Sequence, residues 1–497
     1  MPEPPRPSPM TRAGARLIEE LEAIVGRGQV LHARAERFVY GYDASVFRGT
    51  DVLAVALPKD AEEVSRLVRL ARARNLPFVA RGAGTGINGG ALPQKPLLVI
   101  ALARMNRVLE VDLDNRVAVV EPGVVNQELK QFLQGKGFSF SFVPDPGSQV
   151  VSTLGGNVGN NAGGMHCLKY GVTSNLVLGL QVVLPDGEIV ELGGKVLDAP
   201  GMDLVGLFVG SEGTLGIATR ITARILPLPE AVVTELVMFP DVPSAARAVS
   251  GIMAAGILPA ALELLDRRSL TLVDQAVHIG FPEQAGAALL IELDGLRDGL
   301  DSEARRIAEI CQAHGAVSIQ TAETAEQTAR LWLCRRAAYG AMARVSPTVY
   351  IVDGCVPRDR LAEAIEGAIA ICTRRGLECI NLAHAGDGNL HPLIPYDAND
   401  PAGTENVIAA GHEILAMCVE MGGSITGEHG VGVEKQEEMA LMFTPEELEV
   451  MLRLKLALDP DDSCNPRKMF PRVWFDALEA RLARPESSAR PVSVHPA

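Results

Sequence analysis

The amino-acid sequence predicts an α+β protein built in two units. Short runs rich in Val, Ile and Leu, bounded by Gly, Pro, Asn and Asp, read as strands. Longer stretches between them carry apolar residues at helical spacing. Turn chemistry joins neighbouring strands into hairpins rather than βαβ units, and a Pro-containing break at 226–232 divides the chain.

The elements follow in order. Residues 11–30 read as a helix. Asp60 N-caps a second one running to Asn75, with Val64, Leu67, Val68 and Ala71 on one face. "PFVA" is a short strand entering "RGAGTGINGG", and "LLVIAL" is the next. "VLEVDLDNRVAVVEP" folds as a hairpin about Asp114-Asn115, after which a helix from Asn126 to Gln134 leads into "FVPDPGS". "LGLQVVLPDGEIVEL" is a second hairpin about Pro185-Asp186-Gly187, and "GIATRITARILPLP" is a strand closed by Pro227 and Pro229. Beyond the break, long helices at Val242–Ala255, Leu300–His314, Ala322–Val345, Arg358–Arg375 and Thr404–Met421 alternate with short strands such as "AALLIELDG". The ends, "MPEPPRPSP" and "RPESSARPVSVHPA", are expected to be disordered.

Composition narrows the function. Sixty-one acidic against 46 basic residues leave a net charge of −15, which argues against a nucleic-acid-binding face. An anionic cofactor can still be held locally by backbone N–H groups. Cys167, Cys311, Cys334, Cys355, Cys372, Cys379, Cys418 and Cys464 are scattered with no C-x-x-C pair. That pattern indicates reduced thiols, with neither a disulfide framework nor an iron–sulfur cluster. Met1 to Met10 is Pro-rich without the apolar core of a signal peptide, and no apolar run reaches the roughly 18 residues of a membrane span. A cytoplasmic protein, at most peripheral to a membrane, is expected.

Two glycine clusters interrupt the first unit: Gly82, Gly84, Gly86, Gly89 and Gly90, then Gly155, Gly156, Gly159, Gly163 and Gly164 among Asn157, Asn160 and Asn161. Such density suits close backbone approach to a pyrophosphate, and one cluster alone is equally compatible with a flexible loop. A Rossmann site requires the glycines to open a helix inside a βαβ unit. Here Ala-Leu-Pro and a strand follow the first cluster, so a nicotinamide site is not expected. His166 and Cys167, beside the second cluster, are read as packing residues rather than a nucleophile or tether.

The second unit holds "LAHAGDGNLHPLI" (382–394) and "GSITGEHGVGVEK" (423–435). Two histidines about a Gly-Asp-Gly-Asn turn, with a Glu-His pair elsewhere, could supply imidazole and carboxylate ligands to Zn²⁺, Fe²⁺ or Mn²⁺. Spacing alone leaves open that these side chains only hydrogen-bond their own loops.

Taken in order, "RGAGTG", "PDPGS", "TLGGNVGNNAGGMHCLKYG", "GLFVGSEGTLGIATRITARILPLP", "HAGDGNLH", "GEHG" and "CNPRKMF" run from Arg81 to Phe470, within a resemblance that covers roughly residues 20–474. This series resembles the vanillyl-alcohol-oxidase-type FAD enzymes, in the branch of FAD-linked D-2-hydroxy-acid dehydrogenases and the flavin subunits of bacterial glycolate oxidases. The resemblance implies an N-terminal extension (1–49), a two-subdomain FAD-binding domain (50–228), an α+β substrate or cap domain (229–474) and a tail (475–497). It implies that Arg81, Gly82, Ala83, Gly84, Thr85 and Gly86 line the pyrophosphate, together with Gly155, Gly156, Asn157, Gly159, Asn160, Gly163 and Gly164. Pro144, Asp145, Ser148, Thr153, Tyr170, Glu212, Gly216 and Ile217 would flank the ring and ribose, and Asn465 the flavin edge. Ala83, Thr85 and Ile87 stand where some relatives carry a tethering histidine, so FAD is expected to be non-covalent.

In relatives with a metal site, the matching residues make His384, His391 and Glu428 ligands and His429 the base, supported by Asp387 and Asn389. The family's W-x-x-R pattern selects Arg335 for the substrate carboxylate. Arg336 and Arg344 are read as a solvated helix face.

Pro392 and Leu393, with "YIVDG" where relatives acting on D-lactate or D-2-hydroxyglutarate have "YKYD", favour a small substrate, glycolate first and D-lactate second. The chain has no haem motif and no cysteine cluster, so the electrons must leave for dioxygen, a quinone or a partner. The resemblance implies a second flavin-domain subunit and an iron–sulfur subunit. A D-lactate or D-2-hydroxyglutarate dehydrogenase acting alone stays open. So does a non-redox flavoenzyme of the alkylglycerone-phosphate-synthase type, which would need a histidine run and a phosphate-binding basic patch that the sequence lacks.

Overall fold

The computed structural model describes residues 12–50, 52–197 and 200–482, so the two ends read as disordered lie outside the described residues. The first half holds two sheets. One has the order Val30–Leu31, Val52–Ala56, Leu97–Ala101, Phe78–Arg81, with parallel pairing among the last three. The helix Ala61–Ala73 covers it. Its Asp60 cap accepts from the Glu63 N–H, and Val64, Leu67, Val68 and Ala71 are buried together with Leu21 and Val25 of the helix Arg12–Val25.

The second sheet is antiparallel, in the order Val108–Asp112, Val117–Val120, Ile217–Arg224, Val177–Val183, Ile189–Gly193. Both expected hairpins are edge pairs of this sheet. The Asp114-Asn115 turn ends on Arg116 at φ +53°. Leu129 and Leu133 of the helix Asn126–Gly135 pack on it, with Leu154 and Val158.

One large antiparallel sheet forms the second half. Its order is Ser318–Thr321, Ala231–Phe239, Ala287–Gly295, Ala261–Asp266, Ile380–His384, Asn389–Tyr396, Thr348–Ile351, and Gly354–Cys355 also pairs with Asn389–Tyr396. Period-two alternation gives each strand two apolar faces. Val237, Leu264, Leu289 and Ile291 meet the helices Val242–Ala254, Arg297–Ala313, Leu361–Arg374 and Pro401–Glu420. Leu236, Leu265, Leu290 and Leu382 face the helices Arg267–Val277 and Ala325–Ala341.

The structure departs from the sequence reading in several places, and the helix expected over residues 11–30 ends at Val25, before the short strand Val30–Leu31. "LGGNVGN" is a helix, Leu154–Asn160, because the Thr153 hydroxyl caps the Gly156 N–H; the second glycine cluster is therefore largely helical rather than a bare loop. The helix expected from Ala322 starts at Ala325, since Ser318–Thr321 pairs with the edge of Ala231–Phe239 and Thr324 is the cap. The helix expected from Leu300 is preceded by a kink at Asp298 and Gly299. The strand from Ile217 stops at Arg224, and Leu226–Pro227 pairs instead with Phe140–Ser141.

The C-terminal segment ties the halves together. Cys464 bridges to Phe78 beside the first sheet, whereas Trp474, Phe475 and Leu478 of the last helix lie in the core of the second half.

Candidate active site

Four strands of the large sheet place polar side chains on the face that otherwise meets the helix Ala325–Ala341. Glu292 follows Leu290 by two residues, Glu263 lies between Ala261 and Leu265, His384 follows Leu382, and His391 precedes Leu393. His384 and His391 flank a hairpin: His384 pairs with Asn389, and His391 with Leu382. One register thus turns both rings to the same face, with centroids 5.0 Å apart.

Three imidazoles converge on one oxygen. Glu428 Oε1 lies 3.5 Å from His384 Nε2, 3.4 Å from His391 Nε2 and 3.4 Å from His429 Nε2. Burial alone would raise the Glu428 carboxyl, but hydrogen bonds from the three rings hold it well below the usual carboxylate range. Burial opposes charge on the rings too, yet Glu263 raises His384 and Asp353 raises His429, while buried His391 is lowered. Donor atoms of His384, His391 and Glu428 lie within 4.8 Å of one another, as do those of Asp353, His391 and His429.

Two carboxylates absent from the sequence reading organise this cluster. Glu263, fully buried, takes His384 Nδ1 on Oε1 at 2.6 Å and Arg335 Nε on Oε2 at 2.6 Å. Asp353, also fully buried, accepts from Thr426 Oγ1 (2.6 Å), the Gly427 and His429 N–H groups (3.1 and 3.0 Å), Asn389 Nδ2 (2.8 Å) and Lys435 Nζ (3.0 Å). It therefore fastens the GEHG loop to the hairpin. A lone Glu in the apolar strand "ALELLD" and the Asp of "YIVDG" were the available signals; neither identifies a partner 121 or 76 residues away.

A cavity of 1270 Å³ joins these groups to the glycine clusters. It exceeds the roughly 300–1,000 Å³ of ordinary small-ligand pockets. Arg81, Gly82, Ala83, Gly84, Thr85 and Gly86 line it, with Ser148, Thr153, Gly155, Gly156, Asn157, Gly159, Asn160, Gly163 and Gly164. Glu212, Gly216, Ile217, Asn465, Arg335, His384, His391, Glu428 and His429 line it too.

The donors suit an anionic dinucleotide. Arg81 Nη1 and Asn157 Nδ2 are buried without a hydrogen-bond partner. Gly84, at φ +70°, leaves the room into which the Arg81 guanidinium folds. At Gly163 an added Cβ would sit 2.9 Å from Glu428 Oε2, so glycine there lets the second cluster abut the histidine site.

Some expected residues have other tasks. Pro144, Asp145 and Tyr170 do not line the cavity. The Pro144 carbonyl accepts from Asn126, and the Tyr170 hydroxyl donates to Asp294. Asp145 takes His166 Nδ1 at 2.7 Å, and His166 Nε2 meets Glu292 Oε1 at 3.1 Å. Burial disfavours a charge on His166, but Asp145 and Glu292 outweigh it and push its pKa up to about 10. His166 is thus an ionic clip between the halves. Burial raises the Cys167 thiol above its usual range, which leaves it un-ionised and unsuited to nucleophilic attack. Glu212 accepts the Val431 and Gly432 N–H groups, pinning the loop after His429. Asn465 gives its amide N–H₂ to the Gly90 and Glu212 carbonyls. Arg336, expected on a solvated face, is exposed but borders the cavity.

A large cavity shared by an anion cradle and a histidine–carboxylate cluster defines a two-domain cofactor-dependent enzyme. Residues 52–193 match the family described as FAD binding domain, and residues 228–469 the family described as FAD linked oxidases, C-terminal domain. The chain is 40% identical over 445 residues to the glycolate oxidase subunit GlcD of Escherichia coli (strain K12), covering 90% of this chain and 89% of that protein. It is 40% identical over 453 residues to the glycolate oxidase subunit GlcD of Bacillus subtilis (strain 168), covering 91% and 96%. The D-lactate dehydrogenase of Archaeoglobus fulgidus is 35% identical over 425 residues, covering 85% and 92%. Among solved structures, p-cresol methylhydroxylase with substrate bound has the same fold, with TM-score 0.77 at 17% identity over 94% of this chain and 99% of that one. The chain belongs to the FAD-linked oxidase family, and FAD is its cofactor. No helix among the described residues is long and apolar enough to cross a membrane.

Proposed function

We propose that this chain oxidises a small 2-hydroxy acid, glycolate in preference to D-lactate, to the 2-oxo acid. The observation that carries the reading is the convergence of His384, His391 and His429 on Glu428 Oε1 beside Arg335, in the cavity lined by the glycine clusters. The relatives named as glycolate oxidase subunits and D-lactate dehydrogenase support the substrate class.

We assign His384, His391 and Glu428 as ligands of a divalent Zn, Mn or Fe ion. Their donor atoms lie within 4.8 Å of one another, and two imidazoles with one carboxylate are a donor set that would hold such an ion. Such an ion would replace the protons that the rings now share with Glu428, and would lower the pKa of the bound substrate hydroxyl. FAD, held without a covalent tether, supplies the hydride acceptor.

The protein residues do the rest. Arg335, its Nε fixed by Glu263, offers its terminal nitrogens to the substrate carboxylate. His429 Nε2 takes the hydroxyl proton, while the hydride and its electron pair leave the α-carbon; loss of both makes the C=O bond. Ile351, Leu382 and Leu393 line the cavity near the histidines and give no polar partner to a second carboxylate, which favours a short acid. Electrons then leave for a quinone or, by the kinship with oxidase subunits, for partner subunits, a second flavin-domain chain and an iron–sulfur chain.

Anaerobic stopped-flow bleaching of the flavin across a panel of 2-hydroxy acids tests the reading. Glycolate and D-lactate should bleach it fast and D-2-hydroxyglutarate slowly. Absence of bleaching by any 2-hydroxy acid would refute it.

A further inference from the structure

Resting on the site assignment just made, we propose that Glu263 is a positioning residue that couples the metal ligand His384 to the substrate-binding Arg335. Its carboxylate is fully buried on the strand Ala261–Asp266, directly opposite His384 in the register of the neighbouring strand. Each oxygen has one partner: Oε1 meets His384 Nδ1 and Oε2 meets Arg335 Nε, both at 2.6 Å.

The bond to Nδ1 selects the tautomer that leaves His384 Nε2 unprotonated for a metal and fixes the ring plane. The bond to Nε fixes the guanidinium while its two terminal nitrogens have no hydrogen-bond partner among the described residues. Arg335 borders the same cavity as His384. Aliphatic and small residues surround the carboxylate on its strand, Ala261, Leu262, Leu264 and Leu265, all buried, so nothing on the strand substitutes for it. The two ends of a 2-hydroxy acid, hydroxyl and carboxylate, would therefore be received by groups held at a set separation by one side chain.

The test uses FAD-loaded wild type, Glu263→Gln and Arg335→Ala. Zn²⁺ affinity is read by chelator competition, and oxalate affinity by the shift of the flavin absorbance; neither needs turnover. Glu263→Gln should keep its FAD, lose about 10–100-fold in Zn²⁺ affinity and bind oxalate more weakly. Should that variant fail to fold, Arg335→Ala decides. Removing a nearby positive charge by itself would tighten Zn²⁺ binding, whereas loss of the coupling through Glu263 should weaken it. Unchanged Zn²⁺ and oxalate affinities in folded Glu263→Gln, or tighter Zn²⁺ binding in Arg335→Ala, would overturn the proposal. A wild type that binds neither Zn²⁺ nor oxalate refutes instead the site assignment on which it rests, and with it the coupling.

Discussion

His166 is the most stringent test of how the halves are joined. It lies between Asp145 of the first half and Glu292 of the second, with its side chain 22% exposed and its pKa pushed up to about 10 from an ordinary 6.5. At about 1.4 kcal/mol per pH unit between 6.5 and about 10, the clip contributes on the order of 5 kcal/mol when fully protonated. Because the folded value is the higher one, that contribution is complete below pH about 6.5. It declines by about 1.4 kcal/mol per unit as the pH rises and is gone once the pH passes about 10. Glutamine can donate to one carboxylate but carries no charge. We expect His166→Gln to lower the temperature of flavin release relative to wild type most at pH 6, with the gap closing steadily towards pH 10. The assay is flavin fluorescence on heating, in one buffer series at constant ionic strength. A gap that stays constant from pH 6 to pH 10 would show that His166 is not a protonated clip.

Four further outcomes follow from the site. His384→Ala and Glu428→Gln should lose divalent metal by elemental analysis and slow flavin reduction while keeping near-normal FAD. His429→Ala should keep its metal and lose roughly 10²–10⁴-fold in the rate of flavin reduction; loss of metal would make His429 a ligand, in the set with Asp353 and His391. Acid precipitation should release all the FAD into the supernatant, and flavin left on the peptide would contradict the absence of a tether. Glycolate turnover by the isolated chain under air should be slow and accelerate when dichlorophenol-indophenol is added, whereas fast peroxide formation without dye would make the chain a self-sufficient oxidase.

Much of this was legible in the sequence, for identifiable reasons. The Asp60 cap, the two hairpins and the strand "AALLIELDG" are local signals, fixed by a cap, turn residues or an apolar run, and each forms where expected. The two His-bearing motifs were visible because their spacing is short. What was not legible is long-range. Thr153 turns a glycine-rich stretch into a helix through one hydrogen bond, which glycine density alone conceals. Asp145 and Tyr170 sit beside the cradle in sequence but turn away from it, because His166 and Asp294 claim them. Glu263 and Asp353 carry no motif, and only the folded sheet brings them to the histidines.

The way the sheet does this explains why the site tolerates so much burial. Unpaired carboxylates at 0% exposure would cost several kcal/mol each. Here Glu263 is paired across strands and to a packed helix, and Asp353 is satisfied by the GEHG loop, Lys435 and Asn389. Glu263 is opposite His384 and Glu292 is opposite Ala261 in adjacent ladders. Trp332 and Arg335, three residues apart and so on one face of their helix, reach Glu292 and Glu263 respectively, each at 2.6 Å. A one-residue slip of the strand Ile380–His384 would send His384 to the opposite face and leave Glu263 half-paired beneath Arg335. Leu382, packed on that same face with Leu265, Leu290 and Leu393, would be displaced by the same slip. Strand register is therefore held jointly by the apolar packing and by the polar pairs, so the forces that build the core also align the cluster we assign to chemistry.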